Sequence, residues 1–278
     1  MPPRRFSVRR LWPILVFFFV VPSISAAQVK LTQDDIDFRK EVYTNGKSQL
    51  GYRLYVPLGY DKNRQYPLIL WLHGREARGS DNQKQLTKQD QLATHFWIRK
   101  DVQLSFPVFV VVPQCPMGEQ WSDPDSNQPG KALQLTLEAL AKLRTRYSID
   151  PDRIYIGGQA MGGLGVYSLL QSYLKTWAGA VVISAYDNFT DVHAVATVPL
   201  WVFQGDQDNS VPVDIVRQMI GQVKKANGNV RYTEYHKAGH DVWNQAFADP
   251  ELLPWLAAQR RATPPSSQVG TGASPASR

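Results

Sequence analysis

Five short, continuous apolar runs, separated by segments with helical periodicity, constrain the fold of this chain most strongly. The runs are rich in β-branched residues and bounded by Gly or Pro, a pattern typical of strands buried on both faces. The expected strands are residues 68–72, 108–112, 154–156, 180–183 and 200–203, and the expected helices are residues 132–147, 162–174 and 213–225. Two earlier segments, 38–43 and 50–56, alternate in strand fashion and are expected to pair antiparallel. The sequence therefore predicts one α/β domain with a mostly parallel central sheet, helices on both faces and an antiparallel N-terminal pair.

Polar and glycine-containing segments follow the ends of these predicted strands. The carboxyl ends of parallel strands meet at one edge of a sheet, where such folds place their functional residues. The segments are 73–74 (HG), 113–115 (PQC), 158–161 (GQAM), Ser184 and 205–208 (GDQD), and a later loop adds 239–240 (GH). We therefore expect one candidate site at this edge of the sheet.

These motifs resemble those of secreted α/β-hydrolases of the carboxylesterase and prolyl-oligopeptidase-like type, often described as predicted peptidases or esterases. The order of turn, Asp and His along the chain is the order of α/β-hydrolase triads. The motifs that carry the resemblance are WLHG at 71–74, RGSDN at 78–82, VPQCP at 112–116 with Trp121, DPDRIY at 150–155, AMGG at 160–163, GDQD at 205–208 with VP at 211–212, and GHDVW at 239–243. They span nearly the whole predicted core.

The resemblance implies roles for the residues that match. His240 matches the general base, and Asp208 matches the carboxylate that orients the imidazole and stabilises the imidazolium. The backbone N–H groups of Met161 and Arg75 match the two donors of an oxyanion hole. The residues expected to line a substrate pocket are Glu76, Gln159, Trp121 and Trp243.

The chain departs from the family pattern at the nucleophile. Residues 158–162 read GQAMG where the family has G-x-S-x-G, so Ala160 takes the place of the serine and supplies no hydroxyl. The oxyanion loop also differs, because Arg75 and Glu76 follow His-Gly where family members usually have a small residue and then glycine. A carboxylate at Glu76 would oppose a developing oxyanion unless it turns away or pairs with Arg75 or Arg78.

Two functional classes stay open. In the first, the chain keeps the pocket and the Asp208–His240 pair, has lost ester or peptide hydrolysis, and binds a small ester or peptide-like ligand. In the second, it hydrolyses carboxylic esters or short peptides, either by a non-standard route in which His240 activates water or as a serine-to-alanine variant of an active enzyme.

Other reactive side chains are interpreted as structural. His73 is expected to be a turn residue at a strand end, and Cys115 a buried structural cysteine, with replacement nucleophile as its alternative. The remaining histidines show no metal-ligand spacing, and the glycines at 157–165 lack a dinucleotide fingerprint. No metal and no cofactor are therefore expected.

The N-terminal residues are expected to direct export. Four arginines precede an apolar run at 11–21, and small residues at 25–27 offer a cleavage site. The run is shorter than the roughly 20 residues of a membrane span, although an uncleaved anchor is the alternative. The expected segments are a signal peptide at 1–27, an α/β-hydrolase domain at 28–258 and a disordered tail at 259–278. The product would be secreted or periplasmic, with no stable membrane span after cleavage.

Charge separates this chain from nucleic-acid-binding proteins. The arginines of the predicted leader and tail, which contain no acidic residue, account for the whole net charge of +7. The body at 28–258 is therefore neutral and lacks the basic surface that phosphate backbones require.

Overall fold

The structure, a computed structural model, describes residues 38–86 and 89–261. The predicted signal peptide and residues 262–278 of the predicted tail lie outside these residues. The first residues of that tail are bonded to the domain: the Tyr155 hydroxyl donates to the Gln259 carbonyl at 3.0 Å, and the Arg261 guanidinium contacts the Asp152 carboxylate at 2.7 Å. Contacts of the domain thus continue past Ala258 to Arg261. No helix within the described ranges is both long enough and apolar enough to cross a membrane.

Eight strands of the described residues form one sheet in the order β1-β2-β4-β3-β5-β6-β7-β8. Their bounds are Arg39–Asn45, Ser48–Tyr55, Tyr66–Leu72, Phe109–Pro113, Ile149–Gln159, Gly179–Ile183, Leu200–Gly205 and Val230–Tyr235 for β1 to β8. The β1–β2 and β2–β4 pairs are antiparallel, and the pairs from β4 to β8 are parallel. The predicted mostly parallel sheet with an antiparallel N-terminal pair is confirmed.

Helices cover both faces of the sheet. The α-helices of the described residues are Gln89–Ile98, Lys100–Ser105, Lys131–Arg146, Met161–Ser172, Val192–Ala196, Val213–Lys225, Trp243–Ala248 and Leu252–Ala258, here α1 to α8. Buried residues of α3 to α6 share one hydrophobic cluster, and those of α1, α2, α7 and α8 share the other. Two short 3₁₀ helices, Arg75–Ala77 and Lys84–Leu86, follow β3.

The central strand β3 shows why the sheet needs both helical layers. All its residues are buried; Leu68 and Leu70 belong to one cluster, while Ile69 and Trp71 belong to the other. Successive side chains of a strand point to opposite faces, so a continuous apolar run must be covered twice. Each fully buried aliphatic side chain contributes about 1.5–3 kcal/mol relative to exposure. The layers hold β3 and its neighbours rigidly, and their carboxyl ends carry the site.

Candidate active site

The turn between β5 and α4 places Ala160 at the candidate site. Ala160 has φ 48° and ψ −117°, a conformation that residues with a Cβ rarely adopt. Its N–H donates to the Ile183 carbonyl at 2.9 Å, and its carbonyl accepts the Gly163 N–H at 2.9 Å. Such strain persists only where the surroundings enforce it. The surroundings here include Gly162, where a Cβ would lie 2.0 Å from the Leu72 carbonyl oxygen.

Asp208 and His240 meet beside this turn. His240 Nδ1 lies 2.8 Å from Asp208 Oδ2, and the side chain of His240 is 31% exposed while that of Asp208 is 0% exposed. A carboxylate that accepts from Nδ1 holds the imidazole in the tautomer whose Nε2 can accept a proton. The pair can therefore act as an oriented base facing a solvent-accessible space.

The Asp208 carboxylate is itself held in place by three further donors. Its Oδ1 accepts the backbone N–H groups of Ser210 at 2.8 Å and Val211 at 2.9 Å, and its Oδ2 accepts Gln204 Nε2 at 3.0 Å. Supporting hydrogen bonds of this kind fix both the position and the orientation of a catalytic carboxylate. The sequence did not reveal the part played by Gln204.

The loop that carries His240 is tied to the sheet by Ser184. The Ser184 hydroxyl donates to the His240 carbonyl at 2.6 Å, and Ser184 has a positive φ of 51°. The end of β7 approaches the same loop, since a Cβ at Gly205 would lie 2.1 Å from the Gly239 carbonyl oxygen. Parallel neighbours β7 and β8 thus bring together Asp208 and His240, although 32 residues separate them in the chain.

A cavity of about 490 Å³ opens over Ala160 and His240. The predicted site residues on its wall are Arg75, Glu76, Gln159, Ala160, Met161, His240 and Trp243. The lining residues that the sequence did not single out as pocket residues include Leu164, Ser184, Tyr186, Ser210 and Val211. Asp208 lies behind His240 rather than on the wall.

Trp121 does not line this cavity, contrary to the prediction. Its side chain is fully buried, and its indole N–H donates to the His73 carbonyl at 2.9 Å. The indole also contacts the His73 ring edge to face, with centroids 5.0 Å apart. Trp121 therefore supports the strand end behind the site instead of contacting a ligand.

His73 and Cys115 are enclosed parts of the same support. His73 Nδ1 donates to the Gly74 carbonyl at 2.6 Å, and His73 Nε2 accepts the Cys115 N–H at 3.0 Å. Burial lowers the pKa of His73 to about 4 and raises the pKa of the Cys115 thiol to about 12. A thiol held protonated in this way is a poor nucleophile, which favours the structural interpretation of Cys115.

Two residues of the cavity wall, Arg75 and Met161, stand at helix starts. Arg75 begins the 3₁₀ helix after β3 and Met161 begins α4. Neither N–H has a hydrogen-bond acceptor among the described residues. Gly74 brings the first segment close to the turn, because a Cβ at Gly74 would lie 3.9 Å from the Ala160 Cβ. The two N–H groups are thus without a protein acceptor at the edge of the cavity.

Asp187 is a buried acid beside the pocket wall that the sequence did not reveal. It follows Tyr186, and its carboxylate accepts Asn127 Nδ2 at 3.0 Å. Burial raises its pKa from 3.8 to about 6. The folded state therefore keeps this proton to higher pH than the unfolded state does. The free energy of unfolding accordingly falls as pH rises from about 4 to about 6.

Asp187→Asn is expected to remove the free-energy cost of a buried, ionised carboxylate. Its amide oxygen can still accept the hydrogen bond from Asn127 Nδ2. The variant should be more stable than the native protein at pH 7.5 by about 1–3 kcal/mol, and the difference should shrink toward zero near pH 4. Urea unfolding at both pH values measures it. Asp125→Asn, at an exposed position, is the matched control and should change nothing. A stability gain that is the same at both pH values would contradict the assignment.

Among the described residues, no group of three or more His, Cys, Asp or Glu side chains is placed to hold a metal ion.

Comparison with known proteins shows what this chain is similar to. A family model described as "Dienelactone hydrolase family" matches residues 117–251. A solved structure described as a thermostable esterase is 31% identical with a TM-score of 0.77; the match covers 82% of this chain but only 64% of that one. A search of curated protein sequences finds no match.

More distant structures share the fold. A serine-to-alanine mutant of the feruloyl esterase module from Clostridium thermocellum, complexed with sinapinate, has a TM-score of 0.60 at 17% identity, and the match covers 82% of this chain and 91% of that one. A dienelactone hydrolase described as putative, from Klebsiella pneumoniae, has a TM-score of 0.55 at 16% identity over 80% and 98% of the two chains. The chain has the α/β-hydrolase fold, with esterase structural neighbours.

Proposed function

We propose that this α/β-hydrolase-fold protein is exported, binds a small ester or peptide-like ligand in the cavity above Ala160, and does not hydrolyse it. One observation carries the proposal: a methyl group occupies the strained turn where a serine hydrolase presents its hydroxyl, while His240 and Asp208 keep their pairing at 2.8 Å. The base remains, but it has no side-chain nucleophile to activate.

The size of the expected loss supports inactivity. In a serine protease whose triad was dissected, removal of the nucleophile lowered kcat by about 2 × 10⁶ and left a residual rate roughly 10³–10⁴ above that in water. Glu76 adds to the loss, because it lines the same cavity as the two proposed oxyanion donors, Arg75 and Met161. Binding needs only the cavity and its polar groups, which are retained.

A ligand-binding role also suits the relatives. The Clostridium thermocellum neighbour is a feruloyl esterase module that carries a serine-to-alanine change and is complexed with sinapinate. An esterase fold can thus be occupied by a small aromatic acid when it carries such a change.

The second candidate function is slow hydrolysis by water. It is favoured by the exposure of His240 to the cavity, where Nε2 could take a proton from a water molecule. The resulting hydroxide would add to the ester carbonyl, and the alkoxide would leave with the proton from His240. This route forms no acyl-enzyme.

Hydrolysis of 4-nitrophenyl acetate and butyrate by the native protein and by His240→Ala separates the two candidates. We expect equal rates for the two proteins, because the pair has no nucleophile to activate. Turnover by the native protein that disappears in His240→Ala would overturn the proposal in favour of the water route. Asp125→Asn serves as the control for surface effects.

Export is proposed from the N-terminal sequence alone. The expected result is a secreted or periplasmic protein whose N-terminus begins after Ala27. N-terminal sequencing of the protein recovered from cells and medium tests this, and a leader that remains attached would favour a membrane anchor.

A further inference from the structure

We propose that a groove between α3 and the end of α4 binds a proline-rich segment, and that the chain's own residues 262–266 supply it. This α3–α4 groove has a volume of about 200 Å³, and its walls include Leu68, Leu137, Leu140, Ile154, Tyr173 and Thr176. It lies toward the amino ends of β3 and β5, whereas the candidate active site lies at the carboxyl ends of the strands. The inference is therefore independent of the proposed function.

The last described residue, Arg261, is held beside this groove. Its N–H donates to the Asp152 carbonyl at 3.0 Å, and its guanidinium donates to the Lys175 carbonyl at 3.0 Å. Asp152 is followed two residues later by Ile154. Lys175 is followed directly by Thr176, and both followers line the groove. An extended chain covers about 3.3–3.6 Å per residue, so the next five residues span up to roughly 17 Å and can reach the groove from this anchor.

The segment after Arg261 has the composition that such a groove selects. It reads ATPPS, and residues 262–277 contain no charged side chain. Proline has a fixed φ and favours the polyproline II conformation, so a proline pair loses little conformational entropy on binding. Grooves lined by aromatic side chains are a recurring binding site for such segments. Here the aromatic residue is Tyr173, which is 40% exposed beside an aliphatic floor that includes Leu68 and Leu140.

Polar groups at the rim complement the backbone of a polyproline II segment. Such a backbone forms no internal hydrogen bonds, so its carbonyl groups need donors from outside. The Arg144 guanidinium and the Tyr173 hydroxyl both line the groove, and neither has a hydrogen-bond partner among the described residues. Arg144 also disfavours a basic occupant, whereas an uncharged segment meets no repulsion.

The short tether favours the chain's own segment over a second copy as the occupant. A segment that begins a few residues from its binding site has an effective concentration in the millimolar range. A second copy would lose translational and rotational freedom on binding, which a groove of this size would have to offset. In this proposal the disordered part of the tail begins after Ser266.

Thermal unfolding of the native protein and of a variant with both Pro264→Gly and Pro265→Gly tests the proposal. We expect the melting temperature of the variant to be about 2–4 °C lower, because apolar burial in the groove is lost. Pro275→Gly, farther along the same tail, is the matched control and should leave the melting temperature within about 0.5 °C. In a Tyr173→Ala background, the two proline replacements should cause no further fall, because the groove is already impaired.

Methyl NMR supplies a second measurement that does not depend on the stability of Tyr173→Ala. The resonances of Leu137 and Leu140 should shift in the double proline variant and not in Pro275→Gly. An unchanged melting temperature in the double proline variant, or a full further fall in the Tyr173→Ala background, would overturn the proposal. So would unchanged Leu137 and Leu140 resonances. A difference in melting temperature that disappears on about a hundredfold dilution would overturn it in favour of a second copy in the groove.

Discussion

Ala160→Ser is expected to raise the rate of 4-nitrophenyl acetate hydrolysis by at least about 10³-fold over the native protein. The turn already has φ 48° and ψ −117°, so a serine at this position would present its hydroxyl to the cavity without remodelling the backbone. His240 faces the same cavity and is already oriented by Asp208. Steady-state kinetics of the variant, with active protein counted by titration, measures the gain.

The matched control is His240→Ala in the serine background. It should return the rate to that of the native protein, because the new hydroxyl would lose its base. A serine variant as inactive as the native protein would show that the oxyanion loop is also impaired. Glu76→Gly in that background then tests whether the carboxylate opposes the developing oxyanion.

Gly162→Ala is expected to prevent stable folding. The added Cβ would lie 2.0 Å from the carbonyl oxygen of Leu72 and 3.0 Å from that of His73, and both atoms belong to backbone at the end of β3. Neither neighbour can move without displacing the central strand or α4. We expect a loss of about 4 kcal/mol or more in the free energy of unfolding, measured by urea denaturation.

Gly221→Ala provides the control for the loss of glycine itself. Gly221 lies within α6, and its added Cβ would meet nothing within 4 Å. Alanine at such a position should stabilise by about 0.5–1 kcal/mol, because glycine costs more conformational entropy in a helix. If both variants changed stability equally, close packing at the turn would not be what excludes a side chain from position 162.

The buried centre of the sheet could be predicted because each of its strands contains a continuous apolar run. β3, β4, β6 and β7 correspond to the predicted runs, since strands covered on both faces consist mainly of apolar residues. β8 was not predicted. It lies at the edge of the sheet, and its residues Val230–Tyr235 are half-buried or exposed, so neither an apolar run nor a clean alternation marks it.

The helices that could be predicted are those with apolar residues along one face. The bounds of α6 agree with the prediction, because four of its side chains, at helical spacing, are buried on one face. The first helix, Gln89–Ile98, was missed, since its sequence QDQLATHFWI gathers its large apolar residues at one end instead of along a stripe. Packing against α7 and β4 stabilises this helix more than its own sequence pattern does.

Chain order could not reveal which way the loops of the site turn. The pairing of Asp208 with His240 was implied by the family resemblance, in which turn, Asp and His follow one another in that order along the chain. The inward turn of Trp121 depends on a hydrogen bond from its indole to the backbone of His73, which no sequence pattern signals. The bond from Ser184 to the His240 carbonyl depends on tertiary contacts in the same way.

A single-turnover experiment tests the central claim most directly. Phenyl acetate is mixed with an excess of the native protein and followed by proton NMR, so that binding and hydrolysis are observed in one sample. We predict that the ester signals shift or broaden on binding and that acetate appears no faster than with His240→Ala. Release of acetate by the native protein that His240→Ala abolishes would contradict the account.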